Sequence, residues 1–247
     1  MVDSYREKLG YLREVIGRSK YMVCLFGVGI GSQCGCTNYR DESDSYDIET
    51  KYGYSPDELF NVSFFNTRVE RFYEFYKNDM LSNLGTVGEG LYSLRRLEEQ
   101  GKLKYIITRD IYSLPKRAGC KNVYELHGSV YRNYCPHCKK AYPVEYLQNS
   151  KGVPKCEDCG TVIRPGVSMV GEMVDNALIS KAAEEVKKAD TLLVLGSTLK
   201  ASLTNTFLRY FEGDELVLIN NTEHFADNIA DLAIHGNPMD ILKDLGI

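Results

Sequence analysis

Four cysteines fall into two close pairs, Cys135 with Cys138 in CPHC and Cys156 with Cys159 in CEDC. Together they read C-x2-C-x17-C-x2-C, a spacing that suits a four-thiolate zinc site. Each pair sits on a tight turn that aims two sulfurs at one centre, and the second pair closes a tetrahedron. Two separate redox pairs are the alternative. Four thiolates leave no corner open for water, so the zinc expected here, one per chain, is structural. Cys24, Cys34, Cys36 and Cys120 then remain as reduced thiols that fill buried space. A second motif, GVGIGSQCG from Gly27, follows an apolar run. Gly27, Gly29 and Gly31 accept backbone angles that other residues resist, and such a loop lets a diphosphate approach backbone N–H groups. Alone it is a weak signal, because ordinary turns after strands are also glycine-rich. A metal role for Cys34 and Cys36 lacks further ligands nearby.

These motifs need elements to hold them. YMVCLFG (21–27), KYIIT (104–108), TLLVLGS (191–197) and ELVLIN (215–220) are continuous apolar runs suited to buried parallel strands, with DLAIHG (231–236) as a weaker fifth. Helical patterns lie between them. One opens at Thr86 with Glu89 three residues on, a capping box, and continues through Leu91, Leu94 and Leu97. Others run from Ala177 to Ala189 and from Leu199 to Phe211, and a last one starts at Pro238. Tyr5, Leu9, Leu12 and Ile16 mark an N-terminal helix. Strand–helix alternation predicts an α/β fold, a doubly wound, Rossmann-like parallel sheet with helices on both faces. Residues 42–85, rich in Tyr and Phe, and 128–170, with the zinc pairs, break the alternation. They are expected to leave the sheet as a smaller domain, a helical module plus a zinc ribbon. That leaves 1–41, 86–127 and 171–247 for the sheet domain and puts the default ligand site in the cleft between the two.

The 247-residue chain is 43% hydrophobic and carries a net charge of −4. An ordered globular protein follows, with no general electrostatic affinity for nucleic acid. No stretch reaches the roughly 18 apolar residues of a membrane span, and the N-terminus lacks the apolar centre of a signal peptide. No membrane partner and a cytoplasmic location are therefore expected.

Taken together, the motifs resemble the sirtuin family, the NAD-dependent protein deacylases, over nearly the whole chain. The family's GAGxS…SGIPDFR is similar to Gly27–Arg40 here. Its TQNIDxLHxxAG…ELHG is similar to Thr108–Gly119 and Glu125–Gly128. The zinc pairs follow, then RPGVSMVGE (164–172), GSTL (196–199) and LIN (218–220). The resemblance implies a divergent member of bacterial type that takes NAD and an acylated protein or peptide. It places Gly27, Val28 and Gly29 at the pyrophosphate, Tyr39 over the reacting ribose and Arg40 at the closure of the cofactor loop. It also places Arg109, Asp110 and Tyr112 at the nicotinamide ribose and carboxamide, Gly196, Ser197 and Thr198 near phosphate, and Asn220 at the adenosine ribose. His127 is implied as the catalytic base. The acyl oxygen attacks the ribose carbon that nicotinamide leaves, and the histidine takes a proton from a ribose hydroxyl so that the acyl group can move to ADP-ribose. Val167, Met169 and Val170 would line the substrate channel.

The departures from the family pattern fall on the chemistry. Asp110 replaces an asparagine, and Tyr112 replaces the aspartate that binds the carboxamide. A carboxylate about 4 Å from a developing positive charge stabilises it by about 4 kcal/mol at an effective dielectric near 20. The same carboxylate repels diphosphate and cannot donate to a ribose hydroxyl. Met169 and Val170 stand for a Trp–Phe pair, giving smaller and more flexible channel walls. Thr37, Asn38, Gly166 and Ser168 also differ. Three readings follow, in this order: a deacylase with altered nicotinamide pocket and acyl channel, with Asp110 beside His127 in the catalytic set; an ADP-ribosyltransferase or NAD hydrolase; and a non-enzymatic NAD or ADP-ribose-binding module.

Overall fold

Met22–Phe26 (β1) is buried at every position, as a continuous apolar run requires when helices cover both faces of a sheet. It lies in a six-stranded parallel sheet in a computed structural model that describes residues 4–39 and 42–247, with the side chains of 42 and 43 left out. Leu103–Thr108 (β2) and Val123–Glu125 (β3) follow in the chain. Asn133–Tyr134 (β4) and Ala141–Tyr142 (β5) pair only with each other, antiparallel. Thr191–Leu195 (β6), Glu215–Asn220 (β7) and Leu232–His235 (β8) complete the sheet, whose order is β3-β2-β1-β6-β7-β8. The order reverses between β1 and β6, which puts a crevice beyond their carboxyl ends.

Helices cover both faces. Tyr5–Arg18 (α1) starts from a Ser4–Glu7 capping box and buries Leu9, Leu12, Val15 and Ile16. A short helix, Gly29–Gln33 (α2), follows the glycine loop. Glu42–Tyr52 (α3), Pro56–Leu59 (α4), Val62–Thr67 (α5) and Val69–Phe75 (α6) form the Tyr/Phe-rich module, and α6 runs on as a π turn over Tyr76–Met80. Glu89–Glu99 (α7), Leu114–Arg117 (α8) and Val144–Asn149 (α9) come next, then Asn176–Lys188 (α10), Ser202–Leu208 (α11) and Pro238–Asp244 (α12). Leu12, Met22, Phe26, Leu91 and Leu94 share one core with Phe72 and Tyr76 of the aromatic module. Val23, Leu25, Ala182, Val186 and Phe207 form the core on the other face. The two excursions from the sheet are tied together: Gln148 Nε2 donates to the Leu81 carbonyl at 2.8 Å, and the Tyr73 hydroxyl donates to that of Ile163. Among the described residues, no helix is long and apolar enough to cross a membrane.

All five expected strands form, and α12 starts at Pro238 behind an Asn237 cap. Three details differ. The helix expected from Thr86 starts at Glu89 behind Gly88, with no side-chain cap, because the Thr86 amide donates to the Cys34 carbonyl at 2.8 Å and holds that stretch against the glycine loop. The helix expected over Leu199–Phe211 covers only Ser202–Leu208, since the preceding residues turn tightly, with Ala201 N–H bonded to the Thr198 carbonyl. The sixth strand, β3, has no apolar run to announce it: two of its three residues are only partly buried at the sheet edge.

Candidate active site

The glycine loop and the β6–α11 turn meet at the reversal point. Gly27 N–H bonds to the Leu195 carbonyl at 2.8 Å, and Gly196, at φ +59°, passes so close that a Cβ on Gly29 would lie 2.8 Å from its carbonyl oxygen. A Cβ on Gly27 would meet the same carbonyl and come within 2.7 Å of Ser197 Cβ. Only glycine fits this approach.

At the end of β2, Thr108 Oγ1 donates to the Phe26 carbonyl at 3.0 Å and accepts Asp110 N–H at 2.9 Å, which turns the chain into the crevice. Asp110 is 4% exposed, and its Oδ2 accepts the amides of Tyr112 and Leu114 at 3.1 and 3.4 Å. Burial pushes its pKa up to about 6, against the lowering effect of those two amides. The carboxylate therefore does a capping job across a tight turn. Tyr112, 5% exposed, directs its hydroxyl away from solvent to the carbonyls of Thr37 at 3.0 Å and Met80 at 3.2 Å. Burial likewise pushes the Cys34 and Cys36 thiols up, to about 11 and 12, which keeps them protonated and unreactive.

His127 follows β3. Arg109 Nε donates to its Nε2 at 2.7 Å. Its carbonyl accepts Ser168 N–H at 2.9 Å, so the histidine loop carries the segment that forms the opposite wall. On its far side that segment pairs with the aromatic module, Val170 N–H to the Phe60 carbonyl at 2.9 Å and Val62 N–H to the Val170 carbonyl at 3.0 Å. Met169 is held more firmly than the sequence suggests. Its amide donates to Glu172 Oε2 at 2.7 Å, and Arg164, ion-paired with Glu172 at 2.5 Å, places a guanidinium nitrogen 2.8 Å from its sulfur. The expected flexible wall is a clamped one.

These parts enclose a cavity of about 620 Å³, within the range for cofactor sites. Of the residues picked out in the sequence, Gly27, Val28, Tyr39, Arg109, Asp110, Tyr112, His127, Met169, Val170 and Ser197 line it. Gly29, Gly196, Thr198, Asn220 and Val167 do not. Gly29 and Gly196 pack against each other behind the loop, and Val167 is buried in a bridge with Gly128. Asn220, at the end of β7, donates to the Thr222 carbonyl at 3.1 Å. Arg40 lies outside the described residues. Phe60, Ser202 and Leu203 also line the cavity and had no signal in the sequence: Phe60 is one of many aromatics in the Tyr/Phe-rich module, and the other two fall inside the helix expected over Leu199–Phe211.

Away from the cavity, the sulfurs of Cys135, Cys138, Cys156 and Cys159 all lie within 4.8 Å of one another. Cys135 and Cys159 approach to 3.4 Å and Cys138 and Cys156 to 3.5 Å, near the edge of about 3.8 Å of a tetrahedron of 2.3 Å zinc–sulfur bonds. Cys138 N–H points at Cys135 Sγ at 3.4 Å, and the Tyr142 hydroxyl at Cys156 Sγ at 3.2 Å, the outer donors that thiolates need. The donor set fits zinc. Among the described residues it is the one cluster of this kind.

Fold and site together define a doubly wound sheet with a crevice at its reversal point and, away from it, a four-cysteine cluster that fits zinc. The Sir2 family model matches residues 27–202, and the chain belongs to the Sir2 family. It is 37% identical over 229 residues to a Clostridium acetobutylicum protein named NAD-dependent protein deacetylase, covering 92% of this chain and 94% of that one. A Clostridium perfringens protein of the same name is 38% identical over 233 residues, covering 93% and 94%. Among solved structures, one described as the structural basis of sirtuin substrate affinity superposes with a TM-score of 0.83 at 31% identity, covering 96% of each chain. A Sir2–p53 peptide–NAD+ structure gives 0.78 at 30% identity, again covering 96% of each.

Proposed function

We propose that this protein is an NAD-dependent protein-lysine deacylase that acts on an acylated peptide segment in the described cavity. Membership of the Sir2 family and relatives named for this activity support the enzyme class. The observation that carries the site is the junction of His127, its donor Arg109 and the 168–170 wall in one cavity with Gly27 and Ser197. In this reading, residues 1–41, 86–127 and 171–247 bind the nucleotide, and 42–85 with 128–170 form the smaller domain that roofs it.

Bound NAD would supply the electrophilic ribose carbon and the nicotinamide leaving group. Side-chain-free Gly27 offers backbone for a diphosphate to approach. His127 would receive a proton at Nε2 from a hydroxyl in the cavity, with Arg109 setting the orientation of the ring until that hydroxyl arrives. Phe60, Met169 and Val170 supply an apolar wall that excludes water from the reacting groups. With residue 112 a tyrosine whose hydroxyl is taken by two backbone carbonyls, Asp110 is the carboxylate of the β2 turn, and the nicotinamide pocket differs from the family's.

That altered pocket also suits the second reading, ADP-ribosyl transfer or NAD hydrolysis. One assay separates the two. The protein is incubated with NAD and a panel of acyl-lysine peptides, and nicotinamide, peptide mass and ADP-ribose are followed. Nicotinamide release matched by loss of the acyl mass supports deacylation. Release with added ADP-ribose mass, or without a peptide, overturns it.

A further inference from the structure

Thr37, Asn38 and Tyr39 line the cavity without belonging to a helix or strand, so something outside the segment must hold them. Thr37 is held at three of its atoms. Thr37 N–H donates to the Asn83 carbonyl at 3.2 Å and Thr37 Oγ1 to the Asp79 carbonyl at 2.9 Å. The carbonyl of Thr37 is bonded by the Tyr112 hydroxyl, which reaches Met80 as well. Asp79 and Met80 end the π turn, where Leu81 N–H bonds back five residues to Tyr76 at 2.9 Å. That wide last turn leaves the carbonyls of 79 and 80 for side chains from other segments. Ser82 Oγ takes Asp79 too, at 2.8 Å.

We infer that Tyr112 is a positioning residue, a strut whose hydroxyl fixes the 37–39 segment against the π turn and so shapes the wall where the nucleotide would bind. A phenol has one proton, and here it is shared between two carbonyls in a buried setting. Burial pushes the Tyr112 pKa well up, so the proton stays in place. The role rests on the NAD-binding reading for its consequence, though not for its geometry. The aspartate that the family pattern has at this position is too short to span from the β2 turn to both carbonyls and carries no proton to give them.

The test is Tyr112→Phe, with Thr37→Val as a second variant that removes the neighbouring bond to Asp79. Hydrogen exchange on the ligand-free protein is expected to show amides of residues 34–39 exchanging about tenfold faster in Tyr112→Phe, the effect of one lost hydrogen bond. KM for NAD is expected to rise about fivefold to tenfold with kcat changed less than about twofold, since uniform binding is lost and not transition-state contact. The two variants share one junction, so their effects on exchange should be non-additive. Unchanged exchange at 34–39 in Tyr112→Phe overturns the strut, whatever Thr37→Val does. So does a fall in kcat with KM unchanged, which would put Tyr112 in contact with the reacting groups. A wild-type protein that fails to bind NAD by calorimetry overturns the NAD reading instead, and the exchange measurement still decides the strut.

Discussion

The guanidinium of Arg109 donates from Nε to the Nε2 atom of His127 at 2.7 Å, so the imidazole meets the cavity with that nitrogen as an acceptor. A ring nitrogen that accepts a hydrogen bond carries its lone pair toward the donor, which is the state a proton acceptor must have. The backbone of His127 is held as well, because its carbonyl accepts Ser168 N–H.

His127→Ala should therefore lower peptide-dependent nicotinamide release or acyl transfer by about 100-fold to 10,000-fold, the range for a general base. NAD affinity by calorimetry should stay within about twofold. A drop in affinity as large as the drop in rate would make His127 a binding residue.

Asp110 sets a pH dependence of stability. Its folded pKa of about 6 lies above the ordinary value of 3.8, so the folded state holds a proton that the unfolded chain has already lost between pH 4 and pH 6. Stability contributed by the protonated form is present below pH 4 and lost as pH rises through 6, roughly 3 kcal/mol in all. Asp110→Asn keeps an oxygen for the Tyr112 and Leu114 amides and removes the buried charge. Its melting temperature should exceed wild type by roughly 5–10 °C at pH 7.5 and match it near pH 4. An equal gap at both pH values would mean that charge burial is not the cause.

The centre of the fold was legible because β1 and β6 are buried on both faces and so had to be apolar throughout. The zinc site was legible because its ligands are close in sequence. The edge strand β3 was not: three half-covered residues need no pattern. The Thr86 cap failed because its amide is claimed by Cys34, 52 residues earlier. Tyr112 read as a cofactor-site residue in place of a carboxamide-binding aspartate, since nothing in TRDIY tells that Thr37 and Met80 would offer their carbonyls to its hydroxyl. Likewise Met169 read as a flexible wall, because Arg164 and Glu172 clamp it only after the chain folds.

Cys135 is fully buried and Cys138 exposed, so the zinc site joins the protein interior to its surface. Cys135→Ala should lower bound zinc, measured by elemental analysis, and melting temperature together. Removal of the metal from wild type by a chelator should produce the same loss. Full stability in metal-free protein would overturn a structural role.

Gly27→Ala should damage the crevice itself. The new methyl would sit 2.7 Å from Ser197 Cβ and closer still to the Gly196 carbonyl. Both neighbours belong to the turn after β6, so one loop must move away from the other at about 1–3 kcal/mol. Loss of NAD binding should exceed the loss of stability, because Gly27 and the displaced Ser197 line the cavity. Crystals of the variant with an unmoved Gly196 and unchanged affinity would count against the close approach.

The clamp on Met169 gives the last prediction. Glu172 accepts from the Met169 amide and pairs with Arg164, whose side chain is 13% exposed and whose guanidinium also stacks over Phe65 at 5.0 Å. Glu172→Gln keeps an acceptor for the amide but removes the charge that holds Arg164. A partly buried charged hydrogen bond contributes about 1.5–3 kcal/mol, so the guanidinium should loosen from the methionine sulfur and the wall should gain freedom. Because the 168–170 segment pairs with His127 on one side and Phe60 on the other, the movement should stay in the side chains. The expected result is a KM for short acyl-lysine peptides raised about tenfold, KM for NAD nearly unchanged, and relatively better turnover of longer acyl chains. A uniform loss across acyl lengths, with NAD affinity falling in parallel, would show that Glu172 supports the whole cavity and does not set the wall.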